Sequence, residues 1–78
     1  MKKLAKFEFK IIQHIATLSA SKTTAKQLNL VSFNGDEAKY DLRNWQDPGE
    51  DDAKMLKGIT LTKDELIKLR DALNKLEI

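Results

Sequence analysis

The chain has no cysteine, and only one histidine, one proline and three glycines occur among its 78 residues. Without cysteine it forms neither a disulfide nor a thiolate zinc site, and one histidine cannot build a metal site with distant carboxylates alone. No run of about 18 apolar residues occurs, which excludes a transmembrane helix. A chain this short predicts a single domain, residues 1–78, whose small core self-association would reinforce.

The distribution of charge is more informative than the net charge of +2. Residues 1–26 carry six lysines against Glu8, which gives +5, whereas residues 27–53 carry −5 and residues 54–78 carry +2. A basic first third and a basic stretch around Lys54 and Lys57 would suit a phosphate backbone if they share one face. The alternative is a set of solvated surface lysines.

The first residues, Met1 to Leu4, resemble the charged opening of a signal peptide. Charged and polar residues interrupt the segment behind them, so no continuous apolar stretch follows. The lack of cysteine is also compatible with a reducing compartment. We therefore expect a cytoplasmic protein.

Alternating apolar and polar residues predict the first two strands. Strand periodicity runs over residues 7–18 with Phe7, Phe9 and Ile11 on one face, and its phase slips at Ile11–Ile12, which predicts a bulge. The small polar residues 19–25 predict a mobile loop. A second alternating run ends at Phe33, where Asn34-Gly35 predicts a tight hairpin turn.

The returning strand is predicted over Lys39–Trp45, and residues 46–52 form a polar loop around Pro48 and Gly49. A fourth strand is expected from about Lys54 to Leu61. The C-terminal helix begins near Thr62, because Thr62 and Glu65 have the spacing of a capping box. Its apolar stripe is expected to pack on the sheet and to meet a partner chain; it comprises Leu66, Leu69, Leu73 and Leu76.

No convergent acid, base or nucleophile accompanies these elements. His14 is interpreted as a strand residue with a satisfied ring. The acidic loop lacks the alternating ligands and interior glycine of a calcium loop. We therefore expect no enzymatic activity, no cofactor, no metal and no small-molecule substrate.

Strict alternation divides the sheet residues between two faces. If Leu28, Leu30, Tyr40 and Leu42 face the helix, the opposite face carries aromatic and cationic residues together, namely Val31, Phe33, Lys39, Arg43 and Trp45. Bases of a single strand stack on Phe or Trp, while Arg and Lys bind the phosphates. The alternative is that Phe33 and Trp45 are buried in a dimer interface or under a loop.

Two segments carry a family resemblance: Lys39-Tyr-Asp-Leu-Arg-Asn-Trp-Gln-Asp-Pro48, and Lys57-Gly-Ile-Thr-Leu-Thr62 leading into a helix. Together they resemble the single-stranded DNA-binding domain of the positive cofactor four family of transcriptional coactivators, and its bacterial YdbC-like branch in particular. The resemblance is strongest over residues 26–76. It implies an α+β fold in which a four-stranded antiparallel curved sheet precedes one C-terminal helix, paired as a homodimer through helices and sheet edges.

By the same resemblance, Phe33 corresponds to a base-stacking aromatic, Arg43 to a phosphate-binding arginine and Lys57 to the lysine of the last strand. Trp45 and Lys54 match the family pattern with an offset of about one position. Other lysines would add positively charged contacts for the phosphates. Lys39 lies on the aromatic face, and the first part of the chain carries Lys10, Lys22 and Lys26.

These features predict a single-stranded DNA-binding protein with little sequence specificity, associated with the nucleoid and acting in transcription regulation, replication or repair. Two alternatives remain open at this point. The first is that the ligand is single-stranded RNA, which the sequence does not distinguish from DNA because contact with a 2′-hydroxyl leaves no sequence motif. The second is that the aromatic face binds a partner protein.

Overall fold

A computed structural model describes residues 8–50 and 53–78 of the chain. Four strands and one helix follow each other in the order β1 (Phe9–Ala20), β2 (Thr24–Phe33), β3 (Lys39–Gln46), β4 (Lys54–Leu61) and α1 (Lys63–Lys75). Phe7, which was expected in the first strand, lies outside the described residues. So do Asp51 and Asp52 of the acidic loop.

The strands form one antiparallel sheet in the order β1-β2-β3-β4, and each strand pairs with its neighbour in sequence. The helix α1 follows the last strand and contacts β3 and β4. This confirms the expected α+β fold of a four-stranded antiparallel sheet followed by one helix. The strands β3 and β4 begin at the expected residues, Lys39 and Lys54.

The edge strand β1 is bulged repeatedly. Ile11 pairs with Val31 of β2 while Gln13 pairs with Leu30, so that Ile12 is an extra residue in the ladder. The predicted bulge is therefore confirmed. The same shift recurs twice along the strand, and the three extra residues, all exposed, are Ile12, Ile15 and Leu18.

The connection between β1 and β2 differs from the expected mobile loop over residues 19–25. Both strands extend into this segment, where Ala20 pairs with Ala25. The turn is closed by the Ser21 N–H, which donates to the Thr24 carbonyl at 2.8 Å, and by the side-chain hydroxyls of the same residues, whose oxygens are 2.8 Å apart. Small polar side chains thus hydrogen-bond a tight hairpin here.

The second turn confirms the expectation for Asn34-Gly35. Both residues have positive φ angles, 53° and 80°, as a tight hairpin turn requires. The Asp36 N–H donates to the Phe33 carbonyl at 2.9 Å, and the Asn34 side-chain oxygen accepts from the Glu8 N–H at 2.8 Å. The turn therefore also holds the beginning of β1 in place.

The start of α1 is fixed by the predicted capping box. The Thr62 hydroxyl accepts from the Glu65 N–H at 3.1 Å, and the Glu65 carboxylate accepts from the Thr62 N–H at 2.8 Å. The helix nevertheless contributes no buried residue. Its apolar side chains leave an open pocket of about 370 Å³ against Leu28 of the sheet.

Cross-strand pairs define the two faces of the sheet. Leu28 pairs with Leu42 and Leu30 with Tyr40 on the helix side, as the alternation predicts. The opposite face carries the pairs Asn29 with Asp41, Gln27 with Arg43, and Val31 with Lys39. The fully buried side chains lie on this second, helix-free face.

The sheet curls strongly around the helix-free face. Phe9 pairs with Phe33 at one end of β2, and Trp45 pairs with Ala25 at the other end. In a flat sheet these ends would lie about 26 Å apart, because a strand rises about 3.3 Å per residue. The ring centroids of Phe9 and Trp45 are only 5.1 Å apart. We call the face that carries both rings the concave face, and the helix side the convex face.

Gly58 is required by the close approach of β3 and β4. It pairs with Arg43 next to a bulge in β4, where Leu56 and Lys57 lie opposite Asn44 alone. A Cβ atom on Gly58 would lie 1.9 Å from the Arg43 Cβ and 2.6 Å from the Leu42 carbonyl oxygen. No side chain fits in this space.

We expect Gly58→Ala to lower the free energy of unfolding by about 3 kcal/mol or more, at the upper end of the overpacking range, because backbone must move to admit the methyl group. Gly49→Ala is the matched control, since Gly49 has a φ of 88° but nothing within 4 Å of the added Cβ. Its cost should be about 1–2 kcal/mol of left-handed backbone strain. Urea unfolding of both variants tests this, and equal costs would contradict the close-approach explanation.

Candidate nucleic-acid interface

The centre of the concave face is polar and buried. Asn29 and Asp41, a cross-strand pair, are both fully buried beside Val31. The Asn29 side-chain oxygen accepts from His14 Nδ1 at 2.6 Å, and its amide nitrogen donates to Gln27 Oε1 at 3.1 Å. Buried amide and carboxylate groups are tolerated only when hydrogen-bonded, and here the bonds of Asn29 link the central strand β2 to the edge strand β1.

His14 is a member of this network, as its interpretation as a satisfied strand residue expects. Because the Asn29 oxygen can only accept, His14 Nδ1 carries the proton. In the neutral ring, Nε2 is then left to accept from the Thr17 hydroxyl at 3.2 Å. Both ring nitrogens thus contact neighbouring side chains.

Arg43 is held mainly by Asp41. Its Nε donates to both carboxylate oxygens at 2.8 and 2.7 Å, and Nη2 donates to Oδ1 at 2.6 Å. Nη1 donates to the Leu56 carbonyl at 3.1 Å, and the side chain is only 15% exposed. The positive charge of Arg43 is therefore compensated inside the protein. These bonds use three of the five N–H groups of a guanidinium.

The curvature brings the predicted aromatic residues to Arg43. The guanidinium carbon lies 5.9 Å from the centre of the Phe33 ring, within cation–π range. Trp45 lies on the same face, with Phe9 against it in a tilted arrangement of 58° between the planes. We call these four residues, Phe9, Phe33, Arg43 and Trp45, the aromatic–arginine cluster.

Trp45 and Val31 lie on the helix-free face but are not accessible to solvent. Trp45 is 1% exposed and Val31 is fully buried, although both lie on the helix-free face as predicted. Alternation along a strand gives the face of a residue but not the curvature of the sheet, and here the curved face encloses both side chains. The indole Nε1 of Trp45 is buried, and no hydrogen-bond partner for it occurs in the described part of the chain.

The predicted lysines divide between the two faces. Lys39 is exposed and pairs with Val31 on the concave face. Lys10, Lys26 and Lys54 pair with Ser32, Asn44 and Gln46, residues that alternation places on the convex face. Lys10 and Lys26 from the first third of the chain thus share the convex face with Lys54, whereas Lys39 lies on the opposite face.

Two of these lysines nevertheless meet at one groove. Lys26 from β2 and Lys57 from the β4 bulge line an open groove of about 410 Å³, with Leu42 and Ile59 among the other lining residues. Arg43 and Gly58 also border this groove. Two exposed ammonium groups beside an apolar surface are suited to a phosphate chain that carries bases.

Sequence reasoning missed two members of the site. Phe9 was assigned to a strand without a role, because its contact with Trp45 depends on the curvature. Asp41 was part of the segment that carries the family resemblance but was given no role in the site, although the spacing Asp-x-Arg on one strand places both side chains on the same face. In residues 8–50 and 53–78, no group of three potential metal-binding side chains was found.

A curved four-stranded sheet with one terminal helix and an aromatic–arginine cluster defines a small sheet-based binding domain. The family model described as Transcriptional Coactivator p15 (PC4) matches residues 20–72. An uncharacterized protein of Treponema pallidum (strain Nichols) is 38% identical over 73 residues, which cover 92% of this chain and 82% of that relative. The chain belongs to the PC4 family, which is a family of nucleic-acid-binding domains rather than of enzymes.

The matched region contains nearly all of the site. It begins before β2 and ends within α1, so that it includes Phe33, Arg43, Trp45 and the groove lysines. Phe9 lies before it. None of the helices in the described part of the chain has the length and apolarity needed to cross a membrane.

We expect Asp41→Ala to lower the free energy of unfolding by about 3–5 kcal/mol, because it leaves the Arg43 charge unpaired in a largely buried site. The matched control is Asp71→Ala, which breaks the exposed pair of Arg70 and Asp71 at 3.2 Å. An exposed pair is worth only about 0–1 kcal/mol. Urea unfolding of the two variants measures the difference, and a small loss in Asp41→Ala would show that Arg43 finds solvent or another partner.

Proposed function

We propose that this protein binds single-stranded DNA as a homodimer with little sequence specificity. It acts in the cytoplasm, associated with the nucleoid, on strands exposed during transcription, replication or repair. Membership of the PC4 family supports nucleic-acid binding in general. The finer assignment to single-stranded DNA is argued from the residues of the site.

The aromatic–arginine cluster is the observation that carries this proposal. Phe33 and Arg43 come from different strands and are brought within 5.9 Å by the curvature. Aromatic rings stack on any base, which gives affinity for unpaired strands without sequence preference. A duplex hides its base faces, so the cluster favours single strands.

The lysines supply the contacts to phosphate in this proposal. Lys26 and Lys57 border the groove of the convex face, and Lys54, the first residue of β4, pairs with Gln46 two residues beyond the groove residue Asn44. Lys39 and Lys10 are exposed elsewhere on the sheet. Arg43 contributes through the N–H groups that its bonds to Asp41 and Leu56 do not use. Because Asp41 compensates its charge, the salt dependence of binding falls mainly to the lysines.

The homodimer is argued from the apolar surface of α1. Leu69, Leu73 and Leu76 are 39%, 50% and 55% exposed, and Leu66 lines the open pocket beside Leu28. An exposed apolar patch of this kind on a small domain is typical of an interaction surface. A second copy of the helix would fill the pocket and bury the stripe.

The test of DNA binding is the fluorescence anisotropy of a labelled 20-nucleotide single strand, with its duplex and the matching RNA as comparisons. We expect the single strand to bind more tightly than the duplex. Lys26→Ala and Lys57→Ala should each reduce the slope of log K against log salt by about 0.7, the value for one contact to a single strand. Lys75→Ala, in the last turn of α1, is the control and should leave the slope unchanged.

Other outcomes separate the remaining possibilities. A clear preference for the RNA strand would replace DNA by RNA as the ligand. A preference for the duplex would contradict the role of the cluster. Absence of salt-dependent binding to every oligonucleotide would exclude the proposed function and favour a partner protein at the same face.

The dimer predicts a second result. Leu73→Glu should convert the protein from dimer to monomer, because it places a charge within the apolar stripe of α1. Lys68→Glu introduces the same residue on the exposed side of the same helix and should leave the dimer intact. Sedimentation at micromolar concentration distinguishes the two states. A monomeric wild type would contradict the proposal directly.

A further inference from the structure

Trp45 belongs to the cluster proposed to stack on bases, but its ring is buried in this structure. Base stacking needs an accessible ring face, yet the indole is 1% exposed and Phe9 lies against it, with 5.1 Å between the ring centroids. The buried Nε1 has no hydrogen-bond partner among residues 8–50 and 53–78. A buried donor without a partner is costly, so each such group in a native structure calls for an explanation.

We propose that Phe9 takes the place of a nucleobase on Trp45 in the free protein and leaves when a single strand binds. This inference rests on the proposed function, because it describes how the same site is regulated. The closed form is the structure described above. In the open form, a base stacks on Trp45, and Nε1 donates to water or to an oxygen of the bound strand.

The position of Phe9 in the fold suits this movement. It is the first residue of β1, and β1 is an edge strand that pairs only with β2. The end of a strand opens at lower free energy than its centre, and the contacts that would open with Phe9 are the two hydrogen bonds between Glu8 and Asn34. The movement also changes the surroundings of Phe33, the cross-strand partner of Phe9.

The unpartnered indole favours a reversible contact. Burial of two aromatic rings stabilises the closed form, whereas the unsatisfied N–H destabilises it, and opening reverses both effects. When only the open fraction of the molecules binds, the apparent dissociation constant equals the intrinsic one divided by that fraction. Removing the Phe9 ring should therefore tighten binding.

Tryptophan fluorescence tests the proposal, because Trp45 is the only tryptophan of the chain. In the free wild type, we expect blue-shifted emission that acrylamide quenches poorly. Adding a 20-nucleotide oligo-dT should quench the emission as bases stack. Phe9→Ala should shift the free protein's emission to the red, raise its acrylamide quenching and tighten oligo-dT binding by about threefold to tenfold, as expected if roughly a third to a tenth of the wild type is open.

Two further variants keep the test decisive. Phe9→Leu retains apolar volume but lacks the aromatic ring, and it should show the same changes in smaller degree if Phe9→Ala does not fold. Ile12→Ala is the control, because Ile12 is an exposed, bulged residue of the same strand. It should match the wild type in emission and affinity.

Two results would overturn the inference while leaving the proposed function intact. One is wild-type binding to oligo-dT, seen by anisotropy, with the emission and acrylamide quenching of Trp45 unchanged. The other is weaker binding by a folded Phe9→Ala or Phe9→Leu variant, which would make Phe9 part of the binding surface. If the wild type binds no oligonucleotide at all, the proposed function fails and this inference fails with it.

Discussion

A four-stranded sheet followed by one helix can enclose a core only if the sheet itself bends, because the helix here contributes no buried residue. Bulges supply the bend. β1 accommodates three extra residues against β2, and β4 accommodates one opposite Asn44, beside the glycine that allows β3 and β4 to approach. Each bulge increases the local twist and bends its strand. The result is a concave face on which Phe9 and Trp45 meet, although they pair with opposite ends of β2.

The concave face encloses polar as well as apolar side chains. Asn29 and Asp41 occupy its centre, and the buried carboxylate is compensated by Arg43, which in turn lies near the Phe33 ring. Such a pair adds little net stability over an apolar core of the same shape, but its geometry specifies one arrangement. Arg43 therefore has a part in both the fold and the site. It compensates the buried Asp41 carboxylate, and it lies near the ring of Phe33, a proposed stacking residue.

The apolar surface that remains lies outside the concave face. The bulged residues of β1 form an exposed row along one edge, and the leucines of α1 form a second exposed stripe on the convex side. Edge strands are usually protected by charge, irregularity or a covering element. In β1 the protection comes from irregularity, because no Asp, Glu, Lys or Arg occurs from Ile11 to Ser21 and each bulge interrupts the ladder.

Local signals determined much of the fold. Alternation predicted β3 and the faces of its residues, Asn34-Gly35 predicted its turn, and the spacing of Thr62 and Glu65 predicted the start of α1, because each depends on neighbours within a few residues. The hydrogen-bonded turn after Ala20 was missed because small polar residues suit loops and hairpins equally. Only the tertiary structure decided the burial of Trp45, its contact with Phe9 and the division of the lysines between two faces. These depend on the curvature of the sheet, which arises from bulges and strand pairing between residues distant in the sequence.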